Sequence, residues 1–208
     1  MKRGRTTVID IDPDHPRKRA IQASLDALRD GGLIVYPTDT VYGLGCSVFD
    51  RRAIEKIYQI KKVPLKKPLS IICADLRHIA QFAIVEDPAF RILKRYTPGP
   101  YTFLLRGSRM LPKIMLTKRR TVGIRVPDLA LCQTLLAALG HPIISTSVRI
   151  GNGEVLTDPE EIIQEIQGRV DVVLDAGIID SEPSTIVDLT GENPIIIREG
   201  KGDPHPFR

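Results

Sequence analysis

A chain of 208 residues, 42% hydrophobic and 26% charged, is long enough to bury one α/β core without disulfide or metal staples. No apolar run approaches the roughly 20 residues of a membrane helix, and the basic start MKRGRTTVIDID has no apolar stretch behind it; a cytoplasmic protein with no membrane partner is expected. The net charge of +5 favours an anionic partner, a nucleotide or RNA, through a local field or counterion release.

In chain order, TTVIDI reads as an edge strand. A helix follows, with Ile21, Leu25 and Leu28 on one face, ended by Gly31 and Gly32. LIVYP is a short run of strand formers and reads as a buried strand. Asp50 caps a helix that carries Ile54, Ile57 and Lys61 on one side. PLSIIC is the next strand, AFRILKRY a helix, and TPGPYTFLLRG a turn feeding a strand. TVGIRVP is a strand closed by Pro127, and LALCQTLLAALG a helix stopped by Gly140. PIISTS is a strand running into hydroxyls. Thr157 and Glu160 have capping-box spacing for a helix with Pro159 in its first turn. VDVVLDAG, STIVDLT and PIIIREG complete about nine strands, the last two forming a hairpin through GEN. With four or five helices, this pattern implies one domain over residues 1–208: a twisted, open, mixed sheet flanked by helices.

Cys46, Cys73 and Cys132 lie far apart in apolar surroundings and read as buried free thiols. His15, His78, His141 and His205 have no ligand spacing, so no metal centre is expected. The chain has no Ser-His-Asp set and no Gly-x-x-x-x-Gly-Lys loop, which leaves any nucleotide to be held without a P-loop. Polar residues gather instead at strand ends: Thr38, Asp39 and Thr40; Arg125; Ser145, Thr146 and Ser147; Arg198. Ligands of open α/β sheets sit outside strand ends.

YPTDTVYGLG, IKKVPLKKPLSII, TPGPYTFLL, TVGIRVP, PIISTS, STIVDLT and IIREG resemble, in order, the motifs of the YrdC/YciO family. The resemblance implies an α/β sheet around a basic concave cavity. It implies ATP, threonine and bicarbonate as substrates of threonylcarbamoyl-adenylate synthesis, with Mg²⁺ balancing the phosphates. The product would feed threonylcarbamoyladenosine modification of tRNA. By the same resemblance Thr38 and Thr40 face the threonine site, Lys61 and Lys67 border the phosphates, and Thr121 and Arg125 lie on a substrate-contacting strand. The planar fork of Arg125 suits a carboxylate or carbamate. Ser145 and Ser147 face the nucleotide, Ser184 opens STIVD, and Arg198 returns to the cavity.

The chain departs from the synthase pattern at chosen places. Lys61-Lys62-Val63 stands for Lys-x-Arg, and Ser147-Val148-Arg149 for Ser-x-Asn. Ile72 replaces a histidine, and Val155-Leu156-Thr157 replaces Ser-Pro-Thr; PGPYTF and the STS block without Ala-Asn resemble the YciO branch. Arg149 is expected to reach the phosphates that the missing arginine would hold. Two alternatives stay open: a protein that binds double-stranded RNA or tRNA without synthesis, partly through the basic stretch LTKRRTV, or an enzyme acting on the adenylate or modified base in reverse. Asp39 reads either as a base or as part of a self-satisfied turn.

Overall fold

The computed structural model describes residues 5–65, 67–115, 120–149, 153–179 and 182–208. Its elements are β1 (Thr7–Asp10), α1 (Lys18–Arg29), β2 (Ile34–Tyr36), β3 (Gly43–Ser47), α2 (Arg51–Lys61), β4 (Ser70–Ile72), α3 (Leu76–Phe82), β5 (Ala83–Ile84), α4 (Asp87–Tyr96), β6 (Tyr101–Gly107), β7 (Thr121–Arg125), α5 (Ala130–Leu139), β8 (Ile143–Ser147), α6 (Pro159–Ile166), β9 (Val172–Asp175), β10 (Thr185–Asp188) and β11 (Ile195–Arg198). The strands join in one sheet of order β1-β9-β2-β3-β8-β4-β7-β6-β10-β11, with β5 on β6. Parallel pairs (β1/β9, β2/β9, β4/β7, β6/β10) alternate with antiparallel ones, so the sheet is mixed as expected. Among the described residues no helix is long and apolar enough to cross a membrane.

Side-chain alternation sends successive strand residues to two different cores. Val35, Ile71, Ile144 and Val173 point to one face, where α2, α3, α4 and α6 cover them with Ile54, Ile57, Phe82, Leu93 and Ile162. Ile34, Tyr36, Ile72, Ile143, Val172 and Leu174 point to the other face, under α1 and α5. There Ile21, Leu25 and Leu28 of α1 meet Leu131, Leu135 and Leu136 of α5. Each such side chain, removed from water, contributes about 1.5–3 kcal/mol. Because β2 is buried on both faces, its run is apolar without alternation.

Local signals set the helix ends. The Asp50 carboxylate accepts the Ala53 N–H at 2.8 Å, the expected cap of α2. Gly31 and Gly140 take φ of +73° and +79° beyond α1 and α5, where a Cβ would be strained. Gly32 is not left-handed; a Cβ there would stand 2.7 Å from Ala27 O, so its smallness serves a close backbone approach. The helix α2 stops differently, without glycine. Lys62 adopts φ 51°, its N–H bonds Gln59 O, and the Val63 N–H bonds Tyr58 O, each at 3.2 Å. This is a Schellman arrangement, and Val63 is its apolar follower, packed partly buried on the first core.

Three expectations need correction. The cap of α6 is Asp158, which accepts the Glu160 N–H at 2.8 Å; Pro159 occupies the first turn, and Thr157 makes no cap. Eleven strands and six helices are present among the described residues, rather than about nine and four or five. The extra elements include β3, whose GLGCS lacks strand-forming bulk, and the short pair α3 and β5 in LRHIAQFAI.

Candidate functional site

The two helices α1 and α5 cover one end of their face of the sheet. Further across, the same face carries polar side chains and stays open. One cross-strand row follows the change: Ile143 pairs with Ile72, Ile72 with Arg125, and, from the next strand on, Thr102 with Ile186 and Ile186 with Arg198. The row begins under α5 as aliphatic core, passes through Arg125 and Thr102, and ends at Arg198. The neighbouring row runs Ser145, Ser70, Gly123. Together with the Thr38–Gly43 turn, these strands wall a cavity of about 220 Å³.

Seven expected site residues line this cavity: Thr38, Thr40, Arg125, Ser145, Ser147, Ser184 and Arg198. Lys61, Lys67 and Arg149 are not in its wall but gather beside it, since the charges of Arg149 and Lys67 both bear on Lys61. Thr121 does not line it. It starts β7 on the parity of Gly123 and Arg125 but opposite Arg106, toward the far end of the strand. Lys66 and residues 116–119 of LTKRRTV lie outside the described residues.

Arg125 is committed within the protein. Its Nη2 donates to Asp39 Oδ1 at 2.5 Å and its Nη1 to Thr40 Oγ1 at 2.6 Å. The fork expected to meet a ligand carboxylate is therefore held from behind; each terminal nitrogen retains a second N–H. Asp39 is not self-satisfied within its turn. Its Oδ1 serves Arg125, while Oδ2, like Arg125 Nε, is buried without a partner among the described residues.

Lys61 reaches from the last turn of α2 to the end of β8, where Nζ donates to Ser147 O at 2.7 Å. Burial first, then the charges of Arg149 and Lys67, lower its pKa to about 8. Arg149 donates to Ser147 Oγ at 3.0 Å and to Gly153 O at 2.5 Å. Arg198 donates through Nε and Nη2 to Ser184 O, and burial followed by Arg149 and Arg125 lowers its pKa. Cations thus border the cavity and disfavour the charges of Lys61 and Arg198, the arrangement an arriving anion relieves.

The sequence reading misses Ser70, Thr102 and Tyr36. Thr102 lies buried in the wall, 2.8 Å from Ser184 Oγ. The phenol of Tyr36, buried under α1 and α5, donates to Ser145 at 2.6 Å. Strand parity could have found Ser70 and Thr102, as polar residues at same-face positions of otherwise apolar strands. Nothing local marks Tyr36. The thiols sit as expected: all three are buried, and burial pushes Cys132 up to about 12, too high for a nucleophile at neutral pH.

The profile of the Sua5/YciO/YrdC family, described as telomere recombination, matches residues 26–200. YciO of Escherichia coli is 41% identical over 199 residues, covering 95% of this chain and 97% of that protein. Its crystal structure superposes with a TM-score of 0.93 at 40% identity, over 98% of this chain and all (100%) of that one. A putative threonylcarbamoyl-AMP synthase of Methanocaldococcus jannaschii is 33% identical over 188 residues, covering 90% of this chain and 88% of that protein. The crystal structure of Pyrococcus abyssi Sua5 complexed with L-threonine superposes with a TM-score of 0.87 at 28% identity, over 94% of this chain and 58% of that one.

Proposed function

Because the chain belongs to the Sua5/YciO/YrdC family, we propose that its concave face carries out threonylcarbamoyl-adenylate chemistry, with L-threonine, bicarbonate and ATP as substrates. The observation that carries this reading is the convergence of Arg125, Arg198 and the hydroxyls of Thr102, Ser145, Ser147 and Ser184 on one cavity, bordered by Lys61, Lys67 and Arg149.

In the forward reaction the threonine nitrogen takes up the carbon of bicarbonate with loss of water, giving a carbamate. A carbamate oxygen then attacks the α-phosphorus of ATP. The new O–P bond forms as the bond to the β-phosphate oxygen breaks, and pyrophosphate leaves with the electron pair. Such a transfer needs positioned reactants and stabilised phosphate charge more than it needs a covalent protein partner. The amino-acid part suits the cavity between Arg125 and Arg198, and the phosphates suit the Lys61–Lys67–Arg149 border. Each charge-assisted hydrogen bond there contributes roughly 1.5–3 kcal/mol.

The residues do not fit a protein-held Mg²⁺. Among the described residues the cavity wall has no carboxylate, Asp39 is engaged by Arg125, and no group of three or more His, Cys, Asp or Glu could cage a metal. No step is routed through one. The adenylate would next be consumed by transfer of its threonylcarbamoyl group to an adenosine of tRNA.

Purified chain incubated with threonine, bicarbonate and ATP is expected to release pyrophosphate, with the signal lost when threonine is omitted. Background release alone would refute synthesis. Salt-sensitive RNA binding without ATP binding would support the RNA-binding alternative.

A further inference from the structure

Each hydroxyl in the cavity has one proton, and where that proton goes decides what the hydroxyl can offer a ligand. Thr38 Oγ1 donates to Val41 O at 2.8 Å. Thr40 Oγ1 accepts from Arg125 and lies 3.1 Å from Thr38 Oγ1, which also accepts the Thr40 and Val41 N–H groups. The Thr38 proton is thus spent inside the turn, and Thr40 is engaged by Arg125.

Ser145 is the opposite case. The ring of Tyr36 is fully buried, and burial raises its pKa, so it keeps its proton. A buried O–H needs an acceptor, and the one it meets is Ser145 Oγ at 2.6 Å. Ser145 is half-buried in the cavity wall and retains its own proton. Gly43 makes the contact possible, because a Cβ there would stand 2.9 Å from Tyr36 Cζ and 3.0 Å from both Tyr36 Oη and Ser145 Oγ.

We propose that Tyr36 is a positioning residue that turns Ser145 into a hydrogen-bond donor for an anionic oxygen of the ligand, a carboxylate or a phosphate. The inference rests on reading this cavity as the substrate site.

The test titrates L-threonine, ATP and pyrophosphate separately by calorimetry into the wild-type chain, Tyr36→Phe, Ser145→Ala and the double variant. For the ligand whose oxygen meets Ser145, Ser145→Ala should weaken binding about five- to twentyfold and Tyr36→Phe about three- to tenfold. The double variant should bind no more weakly than Ser145→Ala alone. Such coupling for threonine assigns a carboxylate; coupling for ATP and pyrophosphate assigns a phosphate. Ser145→Thr, which keeps the hydroxyl, should retain the sensitivity to Tyr36→Phe. Additive losses, or a Tyr36→Phe loss equal for every ligand and matched by a fall in Tm, would overturn the proposal. Coupled binding of pyrophosphate without binding of threonine or ATP would sink the synthase reading and leave this one standing. If the wild-type chain binds none of the three, this inference falls as well.

Discussion

Arg125 and Asp39 form a nearly dry ion pair, their side chains 9% and 13% exposed, at the point where aliphatic core gives way to cavity. Removing one partner of a buried pair leaves an uncompensated charge, which costs about 3–5 kcal/mol. Asp39→Ala and Arg125→Ala are each expected to lower stability by about that amount in urea unfolding, and the double variant by less than the two losses together. The Arg51–Glu55 pair on α2 makes the contrast: Arg51 is 79% exposed, and Arg51→Ala should change stability by less than about 1 kcal/mol.

Lys61 gives the site a pH dependence. Its pKa of about 8 in the folded chain lies below the ordinary 10.5. Between those values the unfolded chain binds more protons, so this group makes stability rise with pH across that window. Anion binding runs the other way. A bound phosphate raises the pKa of Lys61, so affinity is greatest below pH 8 and falls as pH rises through it. Calorimetry of ATP or pyrophosphate near pH 8, in buffers of different ionisation enthalpy, should show proton uptake. Lys61→Arg should flatten the profile.

Arg149 depresses Lys61, and both stand on Ser147. Arg149→Ala should therefore act twice, weakening polyphosphate binding about tenfold or more while moving the affinity midpoint above pH 8. Lys18→Ala, on the exposed side of α1, should leave both unchanged. Equal effects of the two substitutions on ATP affinity would remove Arg149 from the site.

Thr102 ends a short chain of bonds. Arg198 Nη2 lies 3.4 Å from Ser184 Oγ, which lies 2.8 Å from Thr102 Oγ1. The Ser184 and Thr102 hydroxyls share one hydrogen bond, and both stand in the cavity wall, where a ligand can engage the pair. Thr102→Val, close in shape, should weaken threonine or ATP binding about three- to tenfold. An unchanged affinity for both would make Thr102 a purely structural residue.

Much of the fold is legible because its signals are local. The α1 and α5 faces follow from helical spacing of leucines, Asp50 caps α2 by residue type, and GEN closes the last hairpin. The strand β3 escapes because two glycines stand where bulk is expected; a Cβ at Gly45 would come 2.7 Å from Ile143 Cγ2, so its smallness serves tertiary packing. Seven site residues are legible as polar groups at strand ends or through family motifs. What stays hidden is how each group is engaged. That Arg125 spends its fork on Asp39, or that Tyr36 reaches Ser145, depends on contacts between residues 86 and 109 positions apart.

The segment Lys61-Lys62-Val63 reads in one dimension as a missing cation. In three dimensions Val63 anchors the Lys62 turn that stops α2, and a helix that ends there leaves Lys61 in its last turn, lying on Ser147. Charge and helix length are thus encoded by one position. Writing arginine back at residue 63 would take away the apolar follower of the Lys62 turn, and the register of Lys61 would loosen with it. Glycine at residue 62 would accept the same left-handed turn without the strain that a side chain meets there.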